Sequence, residues 1–157
     1  MTDQLIHRFY EAFQRKEYRS MAGCYHENLT FGDPVFGVLD YKQTNAMWHM
    51  LCERGKDLQL DYGDVRGDDH SGSCRWEARY TFSSTGKKVH NIITANFRFE
   101  DDKIIWHRDQ FSFWRWSGQA LGLPGAVLGW SSFLRNKVRR QAMKSLEKFI
   151  STHIDYQ

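Results

Sequence analysis

The sequence predicts an α+β fold in which three N-terminal helices pack on a strongly curved antiparallel sheet to form a cone, with a C-terminal helical extension. Three observations predict it. Apolar residues recur at helical spacing in the first 55 residues, and they alternate with period two through most of residues 58–116. From Gly118 onward the chain changes again, to a glycine-punctuated apolar stretch followed by a basic amphipathic helix.

Leu5, Ile6, Phe9, Tyr10 and Phe13 share one helical face behind a Thr2 cap. Tyr18, Met21, Ala22 and Tyr25 give a second, shorter helix over residues 17–25. Residues 29–37 place Gly32, Asp33, Pro34 and Gly37 among bulky apolar residues, which reads as a short extended piece with a bend. Asp40 and Gln43 have the spacing of a capping box, and Gly55 is placed to end the third helix, whose inner stripe is Thr44, Met47, Trp48 and Leu51. Four long antiparallel strands follow. Leu58, Leu60 and Tyr62 mark the first, Cys74, Trp76, Ala78, Tyr80 and Phe82 the second, Val89 to Phe99 the third, and residues 103–116 the last.

Residues 1–116 are therefore read as the cone domain and 117–157 as an extension packed on it. Gly118, Gly122, Pro124, Gly125 and Gly129 punctuate the extension before a helix carrying Val138, Ala142, Leu146, Phe149 and Ile150. The whole chain has 157 residues, enough for one core without a second domain. Its six Trp, seven Tyr and eleven Phe need a core, a pocket or an interface to cover them. Three scattered cysteines signal neither a zinc site nor a disulfide framework. The net charge of +3 does not imply nucleic acid, and the positive excess sits in the tail. With no basic leader and no long apolar run, a soluble cytoplasmic protein is expected.

Functional attention falls on residues 103–116. Alternation puts His107, Asp109, Phe111 and Phe113 on one face and Trp106, Arg108, Gln110 and Ser112 on the other. An imidazole two residues from an acid, continued by phenylalanines, suits an apolar cavity with a proton-handling floor; it equally suits a hydrogen bond on a wet sheet face. Inside a cone the first alternative gains ground. Asp33, between Phe31, Val35 and Phe36, is either a desolvated acid or an Asx turn cap. Asn91 shares a face with Val89, Ile93 and Ala95 and is either a donor to a substrate oxygen or a structural amide. Tyr10 and Trp48 are read as core or pocket wall.

The element order, together with Phe9 to Phe13 (Phe-Tyr-Glu-Ala-Phe), Cys24 to Pro34 and Phe97 to Asp109, resembles the nuclear transport factor 2-like superfamily, in its SnoaL-like and ketosteroid isomerase-like branch. The resemblance implies a cone-shaped scaffold that hosts isomerases, cyclases, hydrolases and non-catalytic proteins. Asp33 in Phe-Gly-Asp-Pro looks like the general-base aspartate of the isomerases. Phe9 stands at the isomerase tyrosine position, with Tyr10 beside it, and Ala95 stands at the strand-acid position, so that constellation is incomplete. The segment His107-Arg108-Asp109 is more similar to cyclase-like and epoxide-hydrolase-like members, although Ser112 replaces their further acid.

The implied function is acid-base chemistry on a hydrophobic, carbonyl-bearing or cyclic molecule, with Asp109, His107 and Asp33 catalytic and Tyr10, Phe31, Trp48, Asn91 and Phe111 lining the pocket. The alternative is a non-catalytic ligand-binding or dimerising protein. No cofactor is expected, and no metal, because His49, His90 and His107 lack compact ligand spacing. A homodimer through the sheet face bearing Trp106 and Arg108 is expected. The basic helix is read as a solvated face on its own cone, in preference to a membrane contact beside Trp130.

Overall fold

The computed structural model describes residues 2–157. In chain order the elements are α1 (Thr2–Gln14), α2 (Tyr18–Ala22), β1 (Tyr25–Asp33), β2 (Gly37–Leu39), α3 (Tyr41–Arg54), β3 (Gln59–Gly67), β4 (Ser71–Phe82), β5 (Lys87–Glu100), β6 (Lys103–Gln110), α4 (Phe113–Leu121), α5 (Leu123–Leu128) and α6 (Ser132–Thr152), followed by a turn of 3₁₀ helix at Ile154–Tyr156. The described strands form one curved, unclosed sheet in the order β2-β1-β6-β5-β4-β3. Helix α1 crosses β3 and β4, α3 lies against β1 and β2, and the sheet wraps both.

Local chemistry accounts for most boundaries. The capping box of α3 is complete: the Asp40 side chain accepts from the Gln43 N–H at 2.8 Å, and Gln43 Oε1 accepts from the Asp40 N–H at 3.1 Å. Gly55 caps the other end of that helix. Thr2 does not cap α1 with its side chain; it lies in the first turn and its hydroxyl donates to the Asp68 carbonyl, tying the helix to the β3–β4 turn. The second helix is shorter than its apolar spacing suggests. It stops at Ala22, and Tyr25 begins β1. The expected short extended piece is in fact a nine-residue strand that pairs in parallel with β6 and antiparallel with β2.

The β5–β6 hairpin sets the register on which the concave face depends. Asp101 and Asp102 form a two-residue turn with both φ angles positive, 51° and 57°, the backbone of the tight hairpin whose twist matches that of its strands. Glu100 pairs with Lys103 and Phe99 with Ile104; beyond them the register shifts and Arg98 pairs with Trp106, so Ile105 is the extra residue of a bulge. After the bulge, Phe97 opposes His107 and Ala95 opposes Asp109. The expected faces hold here: His107 and Asp109 are buried, while Arg108 and Gln110 are exposed.

The last strand ends earlier than alternation predicts. Residues 111 and 112 leave the sheet, and the Ser112 hydroxyl accepts from the Arg115 N–H at 3.2 Å as the N-cap of α4. Ser112 therefore belongs to a helix start instead of the outer sheet face, and Phe113 is buried through α4. A second apolar cluster forms there from Val89, Phe113, Trp116, Ala120, Leu134 and Val138, with Tyr80 and Phe111 against it. Helix α6 joins both clusters. Leu134 and Val138 enter the second, and Leu146 and Phe149 enter the main core. Its basic residues Arg135, Lys137, Arg139, Arg140, Lys144 and Lys148 are exposed.

The extension is held by a close crossing of α4 and α5. Ser117 Oγ donates to the Gly125 carbonyl at 3.2 Å, Trp114 Nε1 donates to the Ala126 carbonyl at 2.7 Å, and a Cβ at Gly125 would run into the Ser117 carbonyl. Gly125→Ala is expected to cost about 1–3 kcal/mol by overpacking, read as a lower urea midpoint with an unchanged far-ultraviolet spectrum of the folded state.

Candidate active site

His107 sits at the centre of the concave face with 0% of its surface exposed. Five aromatic rings enclose it: Phe97 at 4.5 Å between centroids, Phe31 at 5.0 Å, Phe9 at 5.6 Å, Tyr25 at 6.0 Å and Trp48 at 6.3 Å. Phe31 and Phe97 are there because they are the register partners of His107 on β1 and β5. Phe9 comes from α1 and Trp48 from α3. An imidazole in such a shell needs its polar atoms satisfied from within.

A line of hydrogen bonds does this. Trp48 Nε1 donates to the Tyr25 hydroxyl at 3.0 Å, and that hydroxyl lies 2.8 Å from His107 Nδ1. His107 Nε2 lies 3.0 Å from Asp109 Oδ1, which also accepts from Trp76 Nε1 at 3.3 Å. The indole N–H groups can only donate, so the Tyr25 hydroxyl accepts from Trp48 and Asp109 accepts from Trp76. The hydroxyl keeps a hydrogen and a second lone pair for His107 Nδ1, and the Asp109 carboxylate is the acceptor for Nε2–H.

Asp33 lies on the same concave side, one residue beyond the Gly32–Arg108 pair in the β1–β6 ladder. Its Oδ1 accepts from the Val35 N–H at 2.9 Å and the Phe36 N–H at 2.6 Å. Both alternatives raised by the sequence are therefore realised: the carboxyl caps the turn and is also desolvated. Burial raises its pKa to about 7 against those two hydrogen bonds, the nearby Asp109 raises it further, and Arg139 of α6 works in the other direction. Tyr80, whose hydroxyl accepts from Trp116 Nε1 at 2.8 Å, is an electrostatic neighbour of Asp33.

The structure brings Asp109, His107 and Asp33 to one face. Phe31 and Trp48 form part of the shell around His107, Asn91 is buried on the same side of β5, and Phe111 bridges the two apolar clusters at the end of β6. Tyr10 is fully buried, with its hydroxyl beside the Cys74 thiol. Burial lifts that hydroxyl well above the ordinary tyrosine range, with Asp109 adding to the rise. Two grooves of about 420 and 410 Å³ lie elsewhere on the molecule, one beside Arg79, Lys88 and His90, the other beside Glu27, Asp40 and Tyr41.

Sequence reasoning missed Tyr25 and Trp76. Tyr25 fitted a helical stripe, and only the parallel pairing with β6 turns it toward His107. Trp76 was placed on the correct face of its strand, but its reach across β5 to Asp109 depends on the curvature of the sheet. The three cysteines are free and buried, and burial pushes the Cys74 thiol up to about 12, so it takes no part as a nucleophile.

Tyr25→Phe is expected to destabilise the fold by about 1–3 kcal/mol, because it strands the Trp48 N–H and His107 Nδ1 in an apolar shell; chemical denaturation measures this, and nitrogen-15 shifts of His107 report the freed ring nitrogen. Asp33 gives a pH-dependent outcome. Its acid titrates near 3.8 unfolded and near 7 folded, so its contribution is fully present below the unfolded value and lost as pH rises through the folded one. Asp33→Asn keeps the acceptor for both N–H groups and should gain on the wild type by roughly 2–4 kcal/mol between about pH 4 and about pH 8. A pH-independent difference between the two unfolding curves would remove the raised acid.

The SnoaL-like domain family matches residues 6–107, ending two residues short of Asp109. No curated protein matches the chain significantly. Several solved structures share the fold. Wild-type IdmH from Streptomyces antibioticus, provisionally named a polyketide cyclase, is 17% identical, with 78% of this chain and 99% of that one covered at a TM-score of 0.65. An LEH-like epoxide hydrolase from M. tuberculosis is 14% identical, covering 81% and 92% at a TM-score of 0.61. A protein of ketosteroid isomerase-like fold from Catenulispora acidiphila DSM 44928, in complex with trimethylamine, is 10% identical, covering 78% and 95% at a TM-score of 0.66. At such identities the likeness is one of fold. With a family match over residues 6–107, the chain belongs to the SnoaL-like domain family.

Proposed function

We propose that the protein is a small-molecule enzyme that uses side-chain acid-base chemistry on a hydrophobic, carbonyl-bearing or cyclic substrate. The observation that carries this is the pairing of a buried Tyr25–His107–Asp109 hydrogen-bond line with a second acid, Asp33, whose pKa is raised to about 7 on the same face. An acid poised near neutral pH is suited to give or take a proton at a working rate. Asp109 and His107 form the other proton-handling pair, with Tyr25 at the remaining ring nitrogen. Asn91 is a donor for a substrate oxygen. Isomerase, cyclase and hydrolase chemistry all use such a set, and the names of the IdmH and epoxide hydrolase relatives support looking first at polyketide-like cyclic ketones and epoxides.

A second reading is a ligand-binding protein without turnover. Two observations favour it: Phe9 and Ala95 occupy the isomerase positions for a tyrosine and an acid, and His107 is sealed by rings on all the sides described above. The two readings separate in one experiment. With a panel of cyclic ketones and epoxides, Asp109→Asn is expected to lower turnover about 10²–10⁴-fold while leaving ligand affinity within a few-fold. Tight binding with no turnover in either protein would establish the ligand-binding reading instead.

A further inference from the structure

We propose that His49, Glu53 and His153 form a binding site for a divalent transition cation, zinc by the chemistry of the ligands, which fastens the C-terminal extension to α3. One ligand atom from each residue, the imidazole nitrogens and a carboxylate oxygen, lies within 4.8 Å of the others. His49 Nε2 is 3.8 Å from Glu53 Oε2, and His153 Nε2 is 4.0 Å from the same oxygen. These spacings are too long for hydrogen bonds. Zinc with bonds of about 2.0–2.1 Å in a tetrahedral arrangement holds its N and O ligands about 3.3 Å apart, so the set closes with contractions of about 0.5 and 0.7 Å along the two histidine–carboxylate edges and of up to about 1.5 Å between the histidines.

The remaining ring nitrogens are already occupied in the way a metal site requires. His153 Nδ1 lies 2.7 Å from the Phe149 carbonyl, which can only accept, so Nδ1 carries the hydrogen. In the neutral ring the Nε2 lone pair is then the one turned to Glu53. His49 Nδ1 is paired with the Tyr156 hydroxyl at 3.0 Å; when that hydroxyl accepts from Nδ1–H, the Nε2 lone pair of His49 faces Glu53 as well. A lone pair facing a carboxylate is unfavourable unless a proton or a metal cation stands between them. Outer-shell bonds of this kind fix the tautomer and orientation of metal-binding histidines.

Packing holds both rings in place. His49 stacks on Tyr18 at 3.6 Å and 10°, and His153 stacks on Phe149 at 3.8 Å and 20°. The site is nevertheless reachable, since the Glu53 side chain is 58% exposed and that of His153 31%. Three protein ligands leave room for water, and an imidazole and carboxylate set suits zinc, with cobalt as its spectroscopic stand-in. His49 and Glu53 are one turn apart on α3, whereas His153 caps the end of α6, so the cation would bridge two elements far apart in sequence. The same α6 carries Leu134 and Val138 into the second apolar cluster. The three ligands take no part in the acid-base set.

The test uses the full, untagged chain after chelator treatment. Calorimetric titration with zinc is expected to show one equivalent bound, cobalt to give the visible absorption of a tetrahedral or five-coordinate site, and zinc to raise the thermal midpoint. His153→Ala and Glu53→Ala, both at accessible positions, should each weaken zinc binding at least tenfold and abolish the rise in midpoint while the circular dichroism stays native. Absence of stoichiometric binding, or binding that both variants leave unchanged, would overturn the proposal.

Discussion

A carboxylate placed inside an aromatic shell must be met by hydrogen-bond donors, and this constraint organises the interior. Asp109 accepts from His107 and from Trp76, His107 in turn needs Tyr25, and Tyr25 takes the indole hydrogen of Trp48. The five residues come from β6, β4, β1 and α3, so the line of bonds ties helix to sheet. A polar network of this kind is favourable only when its members are satisfied together, which limits how far the surrounding strands can shift.

Register is what delivers Asp109 to that network. The Asp101-Asp102 turn pins the hairpin, and the bulge at Ile105 turns the alternation of β6 so that Ile104 and His107 both face inward. A one-residue slip would exchange His107 and Asp109 for Arg108 and Gln110, and a guanidinium would then meet Phe31 and Phe97. The pairing of Asp109 with Ala95 has a further consequence. Asp109 thus faces inward beside the small side chain of Ala95 on the neighbouring strand.

The extension completes the architecture at the other end. Helix α4 begins where Ser112 caps it, α5 crosses α4 at Gly125, and α6 runs from the second apolar cluster to the main core. Burial is the first cause of the raised Asp33 pKa, and Arg139 on α6 works against it. The electrostatics of Asp33 and the docking of α6 are therefore coupled through Arg139.

The sequence by itself determined whatever depends on near neighbours. Helical spacing marked α1 and α3, the Asp40–Gln43 box marked a helix start, and period-two alternation placed His107, Asp109 and Asn91 on an inner face and Arg108 on an outer one. Asp33 was legible as a turn cap or a desolvated acid, because the residues that make it so are Val35 and Phe36. Tertiary structure decided the rest. Tyr25 belongs to a strand because β1 pairs in parallel with β6, Trp76 reaches Asp109 because the sheet curves, and β6 stops at Gln110 because α4 takes over the chain. His153 meets His49 and Glu53 only through the packing of α6 on α3. Sequence patterns record the period of a single element, whereas these contacts join elements distant in the chain, and strand order and helix docking alone bring them together.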